Sequence, residues 1–174
     1  LKIHIFSKYK IASLHAPMAA AFNDGEFSNQ YIQSLSDAVL GKKANYTNDG
    51  HPFNKKGKAS GIVVGGNLSL LAHLCGTASD IDAENKILFI EDVGEYIYNV
   101  DRMLYQLKRC GKLDKLNGLI IGRFTDMKDT TIPFGQSVEE LIKELLEEFS
   151  YPVCFQFPVS HEKENFALKI GVKY

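Results

Sequence analysis

The sequence predicts an α/β fold, because short apolar runs of strand length alternate along the chain with amphipathic helical stretches. The clearest runs are residues 61–64, 87–90 and 118–121, each bounded by glycine or polar residues. Stripes of apolar residues three and four positions apart follow each run, which is the spacing of one buried helix face. Strands that alternate with helices in this way indicate the α/β class.

The helices can be placed in order from their spacing and their ends. Residues 26–40 repeat apolar side chains at every fourth position, from Phe27 to Val39, before Gly41. Further helices are predicted over residues 68–75, after a Gly-Gly-Asn turn, and over 100–107, before Gly111. Residues 137–140 read Ser-Val-Glu-Glu, a capping box that opens a last helix over 141–149.

The rest of the chain supplies two more strands and one long connection. Residues 153–157 and 166–172 are predicted strands, the second with alternating apolar positions. Residues 41–60 are rich in Asn, Gly and Lys and offer little apolar surface, so they predict a long polar surface loop that could contain a short hairpin.

Length and charge limit the organisation and the partners. At 174 residues the chain can bury one core but not two, so we predict a single domain over residues 1–174. Lys and Arg number 20 against 21 Asp and Glu, which leaves no basic field for nucleic acid or an anionic membrane. No apolar run approaches the roughly 20 residues of a membrane span, and no signal peptide opens the sequence. We predict a cytoplasmic protein, or one whose signal has been removed.

Metal binding is not indicated by the cysteines or the histidines. Cys75, Cys110 and Cys154 lie far apart and show no paired ligand spacing. His15 and His51 lie in loop-like segments without an acidic or thiol partner at metal spacing. We therefore predict reduced thiols, no metal site and no cofactor.

Four recognisable sequence blocks follow one another along the chain: LHAPM at residues 14–18, GGNLSLL at 65–71, IEDVGE at 90–95 with DRML at 101–104, and PVSH at 158–161 with Asn165 and Ile170-Gly171. In this order they resemble the serine LD-carboxypeptidase family, which includes muramoyltetrapeptide carboxypeptidases and microcin-immunity peptidases. One departure falls in the last block, where Ser160 and Glu162 flank His161 and many members of the family have Gly beside the histidine.

The resemblance implies a two-domain enzyme with a Ser-Glu-His triad. Its C-terminal domain, of the swivelling β/β/α type, would supply Glu91 and His161. The serine would lie in a G-x-S-D turn of an N-terminal domain, and no such turn occurs in this sequence. Because the chain also opens without Met and inside an apolar pattern, we expect it to be part of a longer protein whose nucleophile precedes Leu1.

The triad chemistry explains why these residue types are needed. A serine hydroxyl requires an imidazole to take its proton, and a carboxylate must hold that imidazole in the correct tautomer. Glu91 follows an apolar strand and His161 follows another, where α/β sheets present functional groups. Without the resemblance, each would be read as a surface residue. Asp92 and Glu95 are the rival carboxylates in the same block.

Three further residues are candidates for supporting the site. Asn67 could support the active site or only cap the following helix. Glu95 could orient a loop or contact substrate, or be an exposed acid of a turn. Arg123 could meet a peptide carboxylate or form a surface salt bridge.

Two classes of function remain open. The first is one half of an enzyme that hydrolyses the L,D-peptide bond of a murein tetrapeptide and releases D-alanine; the chain alone would then be inactive. The second is a binding module for murein peptides or a peptide-nucleotide antibiotic. The expected partners are the murein peptide, the protein's own N-terminal domain and a second copy in a homodimer.

Overall fold

The computed structural model describes residues 2–18, 29–43 and 45–174. Its elements, in chain order, are α1 (Lys2–Tyr9), β1 (Ser13–His15), α2 (Asn29–Val39), β2 (Val63–Asn67), α3 (Leu68–Leu74), β3 (Ile87–Val93), α4 (Ile97–Arg109), β4 (Gly118–Thr125), α5 (Val138–Leu145), β5 (Val153–Cys154) and β6 (Leu168–Ile170).

A four-stranded parallel sheet forms the centre of the fold, with the strand order β2-β3-β4-β5. Its strands are apolar because the sheet is covered on both faces. One face packs against α3, α4 and α5 through a core that includes Leu88, Ile90, Leu104, Ile121 and Ile142. The α/β class predicted from the sequence is confirmed.

The other face of the sheet is covered by a second, smaller layer of strands. β1 and β6 pair antiparallel, with Leu14 opposite Lys169. Phe89 of the central sheet packs there with Phe157, Val159 and Leu168 in a separate apolar cluster. The layers are therefore two sheets and one set of helices, which is the β/β/α order that the resemblance implies.

The predicted elements differ from the observed ones mainly at their ends. β3 and β4 run to Val93 and Thr125, so Glu91 and Arg123 lie within strands rather than after them. The two glycines predicted as a turn belong to β2. The predicted strands over 153–157 and 166–172 shrink to two and three residues. Their flanks still make single backbone hydrogen bonds to the central sheet, from Phe157 to Ile121 of β4 and from Gly171 to Val63 of β2.

The predicted helix over residues 26–40 is partly observed as α2. Tyr31 is buried as expected, but Val39 is exposed, so the predicted apolar stripe ends before the helix does. Phe27 lies outside the described residues. At the opposite end of the chain, the capping box is confirmed: Ser137 accepts from the Glu140 N–H, and the Glu140 carboxylate accepts from the Ser137 N–H.

The predicted polar loop over 41–60 falls largely within the described residues. It contains no helix or extended strand among residues 41–43 and 45–60, only a bridge between Lys55 and Val153 at the edge of the sheet. Phe53 of this loop is partly buried and packs against the main core. Within the described part of the chain, no helix is long and apolar enough to cross a membrane.

Candidate active site

Glu91 occupies an irregular position near the carboxyl end of β3. Ile90 pairs with Ile121, and Asp92 then pairs with Phe124, so β4 carries one more residue than β3 at this point. A bulge of this kind redirects the side chains of a strand. At this point the Glu91 carboxylate lies near His15 and His161 and its Cβ lies beside Gly122, while Asp92, the next residue, faces Asn67 at the end of β2.

The carboxylate of Glu91 is buried, and its residue exposure is 0%. Burial, followed by the charge of Asp92, raises the pKa of Glu91 to about 7, while the Lys2 ammonium opposes the rise. Neither carboxylate oxygen has a hydrogen-bond partner among the described residues. Burying a carboxyl group without hydrogen-bond partners costs stability. Its raised pKa and its lack of partners therefore mark Glu91 as a candidate functional residue.

His161 approaches Glu91 from the segment that joins β5 to β6. Its Nδ1 lies 3.2 Å from Oε2 of Glu91, and its side chain is 42% exposed. The separation is within hydrogen-bonding distance, although the angle between the groups falls short of a hydrogen bond. The structure thus brings together the two residues that the sequence selected as the imidazole and carboxylate of a triad.

The segment that carries His161 is tied down on both sides. Ser160 donates its backbone N–H to Asn165, and its hydroxyl accepts from the Glu162 N–H at 2.9 Å. Arg123 of β4 donates to Glu162, with an Nη1–Oε2 distance of 2.5 Å, and also to Glu164. The side chain of Arg123 therefore forms the salt bridges considered for it, and these bridges hold the residues that directly follow His161.

Asn67 lies at the end of β2 and forms the N-cap of α3. Its side-chain oxygen accepts from the Leu70 N–H at 3.1 Å, and its Nδ2 donates to Asp92 at 2.7 Å. Asp92 also accepts from the Ser69 N–H at 3.0 Å. Burial raises the pKa of Asp92, and these hydrogen bonds oppose the shift. Asp92 therefore braces the turn beside the site and is not the carboxylate that faces His161.

Two glycines allow the backbones near the site to approach closely. A Cβ on Gly65 would lie 2.0 Å from the carbonyl oxygen of Phe89, and the φ of Gly65 is +121°. A Cβ on Gly122 would lie 2.5 Å from the Val159 carbonyl oxygen and 3.0 Å from Cβ of Glu91. Only glycine fits these two positions without movement of the neighbouring backbone.

Glu95 lies in the turn between β3 and α4 and is half-buried. Its carboxylate accepts from Nδ2 of Asn99 at 3.3 Å, within its own turn and helix. Of the two rival carboxylates, Asp92 thus faces Asn67 and Glu95 faces Asn99. The structure leaves Glu91 as the carboxylate in contact with His161.

His15 lies at the site although it was not predicted there. It lies on β1 rather than in a loop, is 8% exposed, and its Nε2 is 4.0 Å from Oε1 of Glu91. Lys2 of α1 approaches the other ring nitrogen, Nδ1, at 3.0 Å. A search for partners at metal-ligand spacing could not find this contact, because His15 and Glu91 lie far apart in sequence. The signal that could have found it was the LHAPM block itself.

An open cavity of about 400 Å³ lies over the Glu91–His161 pair. Its lining combines polar and apolar groups, namely Lys2, Ile3, His15, Gly65, Gly66, Asn67, Ser69, Leu70, Glu91 and His161. A smaller cavity beyond His161 is lined in part by Lys2, His15 and residues 16–18. Among the described residues, no group of three or more His, Cys, Asp or Glu side chains could hold a metal ion.

The fold and the site together define an α/β domain that carries a carboxylate–imidazole pair, the arrangement that orients a general base in serine hydrolases. The family model described as the LD-carboxypeptidase C-terminal domain matches residues 60–174. The chain belongs to the LD-carboxypeptidase family.

Known proteins support this assignment. The chain is 37% identical to a "Probable murein peptide carboxypeptidase" of Bacillus subtilis over 74% of this chain and 41% of that protein. It is 30% identical to the Escherichia coli "Microcin C7 self-immunity protein MccF" over 85% of this chain and 42% of that protein. The crystal structure of muramoyltetrapeptide carboxypeptidase from Oxalobacter formigenes matches with a TM-score of 0.82 and 27% identity, over 99% of this chain and 59% of that one. The chain thus spans about half the length of such relatives.

Proposed function

We propose that this chain is the C-terminal domain of a serine-type carboxypeptidase that releases terminal D-alanine from murein tetrapeptides. It supplies Glu91 and His161 to a Ser-Glu-His triad. The observation that carries the proposal is the 3.2 Å contact between Nδ1 of His161 and Oε2 of Glu91 at the base of an open cavity. Membership of the LD-carboxypeptidase family and the names of the relatives support the substrate class.

The orientation of His161 suits it to act as the general base. With Nδ1 turned to Glu91, Nε2 is left to take the proton of a serine hydroxyl as its oxygen attacks the peptide carbonyl. The same nitrogen then gives that proton to the amine of the departing D-alanine, which leaves an acyl-enzyme. Water, activated by Nε2, hydrolyses the ester and restores the serine.

The nucleophile in this proposal comes from an N-terminal domain that precedes Leu1 in the full-length protein. Lys2, in the first turn of α1, lines the same cavity as Glu91 and His161. The relatives, at about twice the length of this chain, have room for such a domain. The chain alone is then inactive, and the cytoplasmic location and homodimer are proposed for the full-length protein.

Asn67 and Arg123 take different parts in this proposal. Asn67 lines the cavity and is held by Asp92, so its amide supports the site next to Glu91. Arg123 lines a separate cavity of about 570 Å³ and acts through the segment that carries His161, by way of Glu162 and Glu164. Glu95, turned to Asn99, contributes to the shape of the turn after β3.

A binding module is the second candidate function. One observation favours it: neither carboxylate oxygen of Glu91 makes a hydrogen bond within the described structure. The Glu91–His161 pair therefore lacks the hydrogen bond that a working triad requires. The cavity could then hold a murein peptide or a peptide-nucleotide antibiotic without cleavage. The similarity to the Microcin C7 self-immunity protein supports the second of these ligands.

The experiment that distinguishes the two is an assay of the full-length protein with a synthetic murein tetrapeptide that ends in D-alanine. Free D-alanine is measured with D-amino-acid oxidase, and binding is measured by calorimetry. D-Alanine released by the wild type and lost in His161→Ala supports the enzyme. Binding without release supports the module, and a peptide ending in L-alanine controls for stereochemistry. Neither binding nor release would overturn both candidates.

A further inference from the structure

The carboxylate of Glu91 faces two imidazoles, one at each oxygen. Oε2 lies 3.2 Å from Nδ1 of His161, and Oε1 lies 4.0 Å from Nε2 of His15. We propose that His15 is a positioning residue, a neutral imidazole whose Nε2–H faces Oε1 of Glu91, favours the ionised form of the carboxylate and holds it turned toward His161. The inference deepens the proposed function and rests on it for its catalytic meaning.

Lys2 determines which nitrogen of His15 carries the proton. Its Nζ lies 3.0 Å from Nδ1 of His15. An ammonium has only hydrogens to offer, so Nδ1 must accept, and in a neutral ring the proton is then on Nε2. That nitrogen is the one directed at Glu91. The chain Lys2, His15, Glu91 therefore runs from donor to acceptor at each contact.

His15 is held neutral by its surroundings. It is 8% exposed and its ring lies edge-on to Phe89, with 5.2 Å between ring centroids. Burial, followed by the charges of Lys2 and His161, lowers the pKa of His15 to about 3. The ring consequently acts as a fixed dipole across the physiological pH range and does not compete with His161 for the catalytic proton.

Glu91 needs such a donor because neither of its carboxylate oxygens accepts a hydrogen bond from another described residue. The titratable groups that face it are Lys2 from α1, His15 from β1, Asp92 from its own strand and His161 from the segment before β6. Asp92 disfavours the ionised form of Glu91, and Lys2 favours it. Since a triad carboxylate must be ionised to stabilise the imidazolium, the dipole of the His15 Nε2–H acts in the direction that catalysis requires.

The 4.0 Å separation is longer than a hydrogen bond. A movement of about 1 Å would bring the two atoms within bonding distance, and catalytic hydrogen bonds commonly tighten in this way when substrate is bound. A side chain that could not donate at this position would leave Oε1 without a donor from β1.

The test is an NMR experiment on the full-length protein, with ¹⁵N-labelled histidine and ¹³C-labelled glutamate. Long-range ¹H–¹⁵N spectra report the tautomer of His15, and the carboxyl ¹³C shift of Glu91 reports its titration. The proposal predicts the Nε2–H tautomer for His15 at neutral pH. In His15→Phe the titration midpoint of Glu91 moves upward by about one pH unit, a tenfold change in its acid dissociation constant. His15→Gln, whose amide can donate, reverses most of that movement.

Two outcomes would overturn the proposal. One is an Nδ1–H or doubly protonated ring at neutral pH. The other is a Glu91 midpoint that stays unchanged in His15→Phe. If His15→Phe does not fold, the tautomer of His15 is measured in Lys2→Met instead. Loss of the ammonium should let the proton of His15 move to Nδ1.

These readouts separate this proposal from the proposed function. They require no turnover, so a protein that releases no D-alanine but shows the predicted tautomer and titration would refute the function and leave the role of His15 intact. In an active enzyme, His15→Phe should lower kcat with little change in KM, and His15→Gln should restore part of it. A purely structural role would lower stability without this selective recovery.

Discussion

Gly122 lies beside Glu91 at the bulge between β3 and β4, and its lack of a side chain lets the Val159 carbonyl and the Glu91 Cβ both approach it closely. A Cβ at this position would stand 2.5 Å from the Val159 carbonyl oxygen and 3.0 Å from Cβ of Glu91. The segment that leads to His161 is thus positioned by a glycine on a neighbouring strand. This contact connects the packing of the sheet to the geometry of the site.

Gly122→Ala is expected to destabilise the protein by about 1–3 kcal/mol, because the added methyl meets backbone on one side and the Glu91 stem on the other. It should also separate His161 from Glu91. Urea unfolding measures the first effect, and the D-alanine assay of the full-length protein measures the second. Gly50→Ala is the matched control, since a Cβ there meets nothing within 4 Å. Equal stability losses in the two variants would contradict the assigned packing.

Glu91 should make the stability of the protein depend on pH. Burial raises its pKa from 4.5 to about 7, so between these values the folded protein holds a proton that the unfolded chain has released. Its contribution to stability is therefore complete below about pH 4.5 and is lost as the pH rises through about 7. The loss is on the order of 3 kcal/mol.

Glu91→Gln removes this dependence while preserving the shape of the side chain. Compared with the wild type, the variant should gain stability at about pH 8 relative to about pH 5, as measured by urea unfolding at both pH values. The comparison within one pair of proteins cancels the titration of other groups. If the difference between the two proteins were the same at both pH values, Glu91 would not have the raised pKa described here.

Asp92→Asn tests the brace that holds Asn67. The amide cannot accept from both the Ser69 N–H and Nδ2 of Asn67, so one buried donor loses its partner. We expect a loss of about 1–3 kcal/mol in unfolding free energy. Because the charge of Asp92 raises the pKa of Glu91, the titration midpoint of Glu91 should fall at the same time. ¹³C NMR of the Glu91 carboxyl checks this, and an unmoved midpoint would exclude that coupling.

Arg123→Gln tests the salt bridges to the residues that follow His161. The pairs with Glu162 and Glu164 are partly exposed, so global stability should change by less than about 1 kcal/mol. Hydrogen exchange of residues 158–165 should increase, and kcat of the full-length protein should fall. Lys115→Gln, which breaks an exposed pair with Glu84 away from the site, is the control. Equal exchange in both variants would show that Arg123 does not hold this segment.

Much of the fold could be predicted from the sequence because local patterns determine it. The apolar run at 87–90 and the helical stripes around it gave the central strands and the helices that cover one face. The capping box at Ser137 was visible because its partners are three residues apart. The ends of β3 and β4 could not be predicted, because pairing between these strands extends them past the apolar runs.

The site was predictable in part. Glu91 and His161 were selected through sequence blocks, but their approach within 3.2 Å depends on the extra residue of β4 opposite Glu91 and on Gly122, neither of which has a local signature. His15 could not be predicted as a site residue, because its partners Lys2 and Glu91 belong to other elements. The distances in sequence between these three residues do not indicate a contact. Contacts between distant segments are set by packing, which the order of residues alone does not display.

The most direct test of the proposed triad is the kinetics of three variants of the full-length protein on a murein tetrapeptide: His161→Ala, Glu91→Gln and the double mutant. Removing the base should cost at least as much kcat as removing the carboxylate, with KM less affected. The double mutant should be little worse than His161→Ala, because triad members act as a unit. Additive losses would argue against a shared triad, and near-normal kcat in His161→Ala would contradict the proposed function.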